Sequence, residues 1–325
     1  MTILVTGAFG NLGLMCVKQA LNMGFKVRCF DVNTPATNAL AQHFSDFYPE
    51  HIQVVLGDIR DEPLLDNLVY EVDAIIHNAS LLPPLTDTKP ELAKTINVDA
   101  CKKLIAAAER QPTPPVFVFP SSVTVFGLPP GPARVRTAGD PISATDNYTR
   151  HKIEIEQALQ DSKLPWVIAR VGVSVDARTL KTDLNTFATL VATQADNPLH
   201  YVHPKDVALA MCNACTTPAA HRKILLLGGD ESCKVTQRTF ITTAFRALDL
   251  KFPLEAHGTR RYYTHWMDTS ESEAILHFQQ HPFSAYEDDM NAKLKPVRIV
   301  LWPLRWLVNP ILRVLLIRLS NSAPQ

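Results

Sequence analysis

The sequence predicts a doubly wound α/β fold built on a parallel sheet. Three observations predict it. Short apolar, β-branched runs recur as far as Leu227, helical stretches separate them, and a glycine-rich turn joins the first run to the first helix. Thr2–Thr6 reads as a buried parallel strand. The turn Thr6-Gly7-Ala8-Phe9-Gly10-Asn11-Leu12-Gly13 follows, then a helix to about Asn22 and a second strand over Lys26–Asp31. Ile52–Leu56 is the third strand, Ala74–His77 the fourth and Val116–Phe119 the fifth. Between the last two, Leu92–Glu109 repeats apolar residues at three- and four-residue spacing, as a helix does. A helix from Tyr148 to about Leu159, a sixth strand over Trp166–Val171, a helix over Tyr201–Cys215 and a seventh strand over Lys223–Leu227 complete the alternation. Ser174–His200 reads as an insertion and Glu231–Tyr286 as mixed helix and loop.

The expected organisation is a nucleotide-binding domain over 1–173 and 201–229. A smaller substrate lobe over 174–200 and 230–295 covers the sheet's carboxyl edge, and an amphipathic tail occupies 296–325. At 325 residues the chain can bury a large core, and 46% hydrophobic with 20% charged residues fits an ordinary globular protein. Lys plus Arg equals Asp plus Glu, 32 each, so no global field argues for nucleic acid. Cys212 and Cys215 form a C-x-x-C, but they lie in a helical run with no second Cys/His pair at zinc spacing. Buried thiols and no metal are expected. With the first strand starting at Thr2, no leader is expected, and a reducing cytoplasm is the expected location.

The first chemical signal is the turn. Gly7 permits the tight strand-to-helix reversal, Gly10 lets backbone approach a pyrophosphate, and Gly13 lets the helix pack closely on the sheet. The helix start that follows offers free N–H groups and a positive dipole end. Asp31 ends the second strand 18 residues after Gly13, where a carboxylate accepts from both hydroxyls of an adenosine ribose and repels a 2′-phosphate. NAD is therefore favoured over NADP, although Arg28 lies on the same strand. Asp58, beside Ile59, is placed to bond the adenine amino group, or else serves its turn. Ala79 and Ser80 after the fourth strand are small enough for backbone to pass close to the cofactor, or for packing alone.

The second signal is Tyr148 with Lys152. Positions i and i+4 share a helix face, so the ammonium lies beside the phenol. A free tyrosine has a pKa of about 10 and is a poor base; a fixed cation, with the positive nicotinamide of NAD, favours phenolate and lowers that value. Tyr148 then takes the proton of an alcohol as hydride leaves its carbon, or returns it. Ser121 and Ser122 follow the fifth strand directly, 26 to 27 residues before Tyr148, and Ser122 is the hydroxyl expected to face the substrate oxygen.

These pieces resemble the extended short-chain dehydrogenase/reductases of the NAD-dependent epimerase/dehydratase superfamily, which includes 3β-hydroxysteroid dehydrogenases. The likeness rests on Thr6–Gly13, Asp31, Gly57-Asp58, His77–Ser80, Asn97, Ser121–Gly127, Tyr148/Lys152, Arg170–Val173 and Tyr201–Ala208. It implies a Rossmann-type fold, NAD as cofactor and a catalytic set of Ser122, Tyr148 and Lys152. It further implies that Asn97 supports the active-site strand end and that Val173 lies near the nicotinamide. Phe126 stands where the family usually has tyrosine, a packing change. Val123 and Thr124 replace the Asp-Glu pair of sugar-nucleotide dehydratases, which argues against water loss. Arg260 and Arg261 are the lobe's candidates for a substrate diphosphate, with a solvated basic turn as their ordinary reading.

The tail supplies the remaining clue. At about 100° per residue, Arg298, Arg305, Asn309 and Arg313 fall on one stripe flanked by Trp302 and Trp306. Most of the remaining circumference is apolar, and no Asp or Glu follows Met290. The longest uncharged run is seven residues, short of the roughly 20 that span a bilayer, and Pro303 and Pro310 are expected to kink or divide the helix. Peripheral membrane contact through 296–319 is the expectation, with the stripe toward anionic lipid and a lipophilic substrate in consequence. The competing reading packs the tail on its own domain or on a second subunit, as a homodimer.

Overall fold

The computed structural model describes residues 1–128, 134–175 and 184–322. Nine strands run β1 (Thr2–Thr6), β2 (Lys26–Asp31), β3 (Ile52–Leu56), β4 (Ala74–His77), β5 (Val116–Ser122), β6 (Trp166–Val171), β7 (Pro198–His200), β8 (Lys223–Leu227) and β9 (Lys234–Thr236). Seven form one parallel sheet in the order β3-β2-β1-β4-β5-β6-β8. The short β7 and β9 pair antiparallel beyond it. The chain steps outward from β1 to β3, then crosses back to lay β4 on the other side of β1. That reversal opens a crevice at the carboxyl ends of β1 and β4.

The helices in chain order are α1 (Asn11–Asn22), α2 (Pro35–Phe47), α3 (Glu62–Val69), α4 (Leu85–Thr88), α5 (Pro90–Lys94), α6 (Ala100–Glu109), α7 (Asn147–Asp161) and α8 (Leu184–Ala192). They continue with α9 (Pro204–Ala214), α10 (Gln237–Arg246), α11 (Ser270–Leu276), α12 (Phe283–Leu301) and α13 (Arg305–Ser322). The two-residue period of a strand sends Ile3 and Val5 to one face and Leu4 to the other. On the first face they meet Val17, Met211 and Cys212; on the second, Leu104, Ile155 and Leu159. Both faces are covered, which is why the strands read as unbroken apolar runs. Cys212 and Cys215 are buried thiols on α9. A third apolar cluster, with Tyr201, Phe240, Tyr286 and Met290, forms the smaller lobe.

Three element boundaries differ from the sequence expectation. β5 runs on to Ser122, because Pro120, Ser121 and Ser122 still pair with Ala169, Arg170 and Val171 of β6. The helix expected over Leu92–Glu109 is interrupted by a π-turn over Thr95–Asp99, which the apolar spacing alone does not reveal. The helix expected from Tyr201 begins at Pro204. Tyr201 and Val202 pair instead with Val173, and His203 caps the helix by accepting from the Lys205 N–H. The stretch 176–183 of the expected insertion and the last three residues of the expected tail lie outside the described residues.

A buried ion pair ties the sheet to α7. Glu156 is fully buried and accepts from Arg170 on β6 (Nη2–Oε2 2.7 Å) and from Ser121 Oγ on β5 (2.5 Å). Removing one member leaves a desolvated charge without its partner, which costs far more than the intact pair contributes. Arg170→Met is therefore expected to lower unfolding stability by about 3–5 kcal/mol in a urea titration. A loss below about 1 kcal/mol would mean that water reaches Glu156.

Candidate active site

The glycine turn is held by close backbone contacts. Gly7 has φ +61°, and a Cβ there would come within 2.8 Å of the Ala79 backbone nitrogen. A Cβ on Gly13 would lie 2.0 Å from the Gly7 carbonyl oxygen, so only glycine lets α1 start this close to the turn. Gly10 occupies the N-cap of α1 without a side-chain cap, which leaves the first-turn N–H groups of Asn11 and Leu12 open to an anion. Asp31 Oδ2 accepts from the Phe9 N–H (2.8 Å) and Oδ1 from the Val32 N–H (2.8 Å), fixing the carboxylate beside the turn. Arg28 points away. Its guanidinium donates to Gln53 and to the carbonyls of Asn67, Leu68 and Tyr70, so it is not available to a 2′-phosphate at Asp31. Between β4 and the turn, both polar atoms of the Asn78 amide are buried without a hydrogen-bond partner of standard geometry. An uncapped helix start, a glycine cradle and an orphaned amide fit a dinucleotide at this crevice.

Asp58 is exposed and held by Arg60, whose Nε and backbone N–H both donate to it at 2.9 Å; the pairing keeps its carboxyl below the usual range. Ile59 beside it is buried. These two stand just past the end of β3, with the Asp58 carboxylate engaged by its own turn.

Farther along the sheet edge, His77, Ala79, Ser80, Asn97, Phe119, Tyr148, His151 and Lys152 line one crevice. Asn97, in the π-turn, clamps the loop after β4: Oδ1 accepts from Leu81 N–H (2.7 Å) and Nδ2 donates to Leu81 O (2.9 Å). Strand alternation separates the two serines. Ser121 is committed to Glu156, whereas Ser122 points the other way, where its Oγ accepts from Thr124 N–H (3.2 Å) and Thr124 Oγ1 (2.9 Å). On that side the Ser122 hydroxyl is close enough to the Tyr148 phenol to lower its pKa.

Asp146 starts α7 by accepting from Thr149 N–H (2.7 Å), and Thr149 Oγ1 accepts in return from the Asp146 N–H (3.0 Å). That capping box sets Tyr148 in the first turn. One turn on, Lys152 is buried; its ammonium donates to the Pro120 carbonyl (2.7 Å) and lies 4.5 Å from the Phe119 ring centroid and 5.6 Å from that of Tyr148.

Lys152 and the nicotinamide of NAD are together expected to acidify Tyr148; in the chain itself burial pushes the phenol up to about 12, with the Ser122 hydroxyl opposing it. The ammonium sits against the ring and the Pro120 carbonyl rather than at the hydroxyl. Burial also brings Lys152 down to about 8, with Cys101 and Glu156 opposing. His77, bonded to Thr6 Oγ1 at 2.8 Å, is held neutral, its pKa lowered to about 3 by burial and then by Lys152.

A model of the NAD dependent epimerase/dehydratase family matches residues 3–228. The chain belongs to that family. An uncharacterized membrane protein of Methanocaldococcus jannaschii is 36% identical over 109 residues, 33% of this chain and 32% of that protein. A UDP-glucose 4-epimerase of Schizosaccharomyces pombe is 28% identical over 191 residues, 55% of this chain and 50% of that enzyme. The chain thus spans half or less of the length of these curated relatives. The crystal structure of a UDP-glucose-4-epimerase from Stenotrophomonas maltophila, with bound NAD and formylated UDP-arabinopyranose, superimposes with TM-score 0.76 at 20% identity. That superposition covers 92% of this chain and 99% of that one.

Within the family fold, Val173 sits just past β6, its N–H donating to His200 O and its carbonyl accepting from Val202, which fixes the backbone at the lobe's entrance. Two contributors escaped the sequence reading. Glu156 continues the 148, 152 spacing by four more residues, a signal that reads equally as a solvated helix face. Tyr263 reaches from the lobe to donate to Asp146 Oδ2 (2.6 Å) and stacks on Tyr262 at 4.2 Å between centroids. No local motif marks that pair. Arg260 is tied by its backbone to Ala192 and Gln194, and both Arg260 and Arg261 are exposed.

The Lys152 shift has a definite sign. The unfolded chain keeps this ammonium protonated up to its ordinary value of 10.5, while the folded chain releases the proton near 8. Between these values the unfolded state binds more protons, so folding stability rises with pH. Lys152→Met removes that dependence. Its stability relative to the native chain, followed by thermal or urea unfolding, should fall by up to about 3 kcal/mol as pH goes from 7 to 10.5. Parallel pH profiles for the two proteins would show that the ammonium is solvated.

Proposed function

We propose that the protein binds NAD and interconverts an alcohol and a ketone on a lipophilic small molecule, at the cytoplasmic face of a membrane. The observation that carries the chemistry is one crevice lined by Tyr148 and, one helical turn deeper, Lys152, with the Ser122 hydroxyl close enough to the phenol to lower its pKa. On this reading Gly7, Phe9, Gly10, Asn11, Leu12 and Gly13 hold the pyrophosphate. Asp31 holds the adenosine ribose, and Asp58 and Ile59 flank the adenine. Ala79 and Ser80 line the path of the cofactor. Lys152 holds the nicotinamide ribose, with Asn97 and Val173 framing that end. When bound, NAD supplies the acceptor or donor of hydride.

The chain's own groups handle the proton. With its pKa near 12, Tyr148 is a phenol at neutral pH and donates to the carbonyl oxygen as a ketone is reduced. Ser122 donates a second hydrogen bond to the same oxygen. In the oxidative direction Tyr148 must first lose its proton, which the charged Lys152 favours and the neutral form does not; its own pKa near 8 therefore bears on the direction. Val123 is buried in the turn after β5 and Thr124 is spent on Ser122, so no carboxylate stands where water loss would need one.

The lipophilic part of the proposal rests on the tail, whose apolar surface is described below. The 36% match to a protein described as a membrane protein is consistent with it. A second reading, sugar-nucleotide epimerisation, is supported by the 28% match to a UDP-glucose 4-epimerase. It uses the same proton transfer at Tyr148 without net oxidation. Lipophilic alcohols that accumulate NADH support the first reading; a sugar nucleotide converted with no change in NADH supports the second. In either case Tyr148→Phe should bind NAD as the native chain does and lose turnover by roughly 10²–10⁴-fold. Turnover that survives the substitution would remove Tyr148 from the mechanism.

A further inference from the structure

Helix runs almost without a break from Phe283 to Ser320 and is long and apolar enough to cross a bilayer by length and composition. Pro296 and Pro310 are kept inside α12 and α13, and only Pro303 falls in the one-turn 3₁₀ segment that joins them. From Arg305 onward the cationic stripe faces the lobe, contrary to the sequence expectation that it meets lipid, while Arg298 donates to Asn291 of its own helix. Arg305 pairs with Asp249 at 2.5 Å and Arg313 with Glu255 at 2.8 Å, while Asn309 Oδ1 accepts from the Lys251 N–H at 3.0 Å. Between these pairs and the chain end Leu316, 2% exposed, is sunk among Val191, Ala256, Phe187 and Phe252. The pairs themselves are exposed and hold little. Their effect is to place both charges of the apolar stretch on the protein side.

What remains outward is a bare ridge of Val300, Leu304, Leu307, Ile311 and Val314, with Trp306, 71% exposed, between it and the stripe. Monomeric soluble proteins rarely present so continuous an apolar surface. Lys293, Lys295 and Arg318 border it, all exposed and without an ion-pair partner among the described residues, and no acid follows Met290. That charge pattern selects the occupant. Two such ridges packed face to face would bring like charges together, whereas a bilayer with anionic headgroups offers the opposite charge at the rim and hydrocarbon at the centre.

We propose that α12 and α13 lie flat in the surface of an anionic membrane, apolar ridge inward to the acyl chains, with the lobe seated on the stripe side. Crossing would require tearing Leu316 and the two arginines from the lobe. The docking gives physical content to the membrane part of the function proposed above and is independent of its chemistry.

The test is flotation of the full-length protein with vesicles of phosphatidylcholine plus phosphatidylserine. Native protein should float, and Trp306→Ser/Ile311→Ser/Val314→Ser should associate at least about tenfold more weakly. Lys293→Glu/Lys295→Glu should lose the preference for phosphatidylserine and most of the salt sensitivity. NAD titration of each variant, unchanged from the native chain, certifies the fold. Native protein left in the soluble fraction, or a triple variant that floats as well as native, overturns docking. A ridge variant that changes sedimenting mass and leaves flotation alone assigns the ridge to a second copy. Resistance to alkaline extraction overturns the flat arrangement in favour of crossing. Docked protein that turns over no alcohol leaves this proposal standing and rejects the chemistry instead.

Discussion

The site depends on one buried carboxylate. Glu156 receives Ser121 from β5 and Arg170 from β6, and so fixes the rotation of α7 against the sheet at the point where both strands end. Tyr148, Lys152 and Glu156 are spaced by four, so they share a helix face at successive depths. Anchoring the deepest member sets the other two. The same bond removes Ser121 from the crevice, and strand alternation then obliges Ser122 to face it. A buried ion pair of this kind is a poor source of net stability. What it supplies here is register: one helix rotation lets both Ser121 and Arg170 bond Glu156, and others leave a charge unpaired.

The second constraint comes from the opposite end of α7. The helix begins on Asp146, and Asp146 is shared between the Thr149 N–H and the phenol of Tyr263 in the lobe. The turn carrying Tyr148 is therefore held jointly by sheet and lobe. The Tyr262–Tyr263 stack presents aromatic surface on the lobe side, and burial holds both phenols above their usual range, as it does Tyr148. Lys152 rounds out the arrangement. By bonding to Pro120 O it rests on a strand-end carbonyl that a longer or rotated β5 would not offer.

The strands were legible because a sheet covered on both faces writes itself as apolar runs, and the glycine turn because close approach at Gly7 and Gly13 excludes every other residue. The Tyr148/Lys152 pair was legible through helical spacing. The choice of Ser122 over Ser121 followed from nothing local, and its physical reason, Glu156, reads in sequence as a residue of a solvated helix face. The π-turn at Asn97 changes the helix register by one residue while leaving the apolar spacing plausible. Helical spacing places the ammonium near Tyr148 but does not say where its hydrogen bond goes, which here is the Pro120 carbonyl. Projection of the tail revealed a stripe without its direction, since its partners Asp249 and Glu255 lie more than 50 residues upstream.

Those partners also connect the tail to the crevice by contiguous packing. α13 buries Leu316 against Val191 near the end of α8. The last residues of α8 then hold the chain that returns to the site: Gly258 N–H donates to Val191 O and Arg260 N–H to Ala192 O. A Cβ at Gly258 would stand 2.1 Å from the Ala192 carbonyl oxygen, so the two segments touch backbone to backbone. Two residues later come Tyr262 and Tyr263, and Tyr263 ends on the cap of the helix that carries Tyr148. Close-packed elements of this kind shift together or not at all. A surface that orients α13 therefore orients the aromatic side of the crevice as well. The lobe wall that carries Tyr262 and Tyr263 is mounted, through α8, on the helix with the barest apolar face among the described residues.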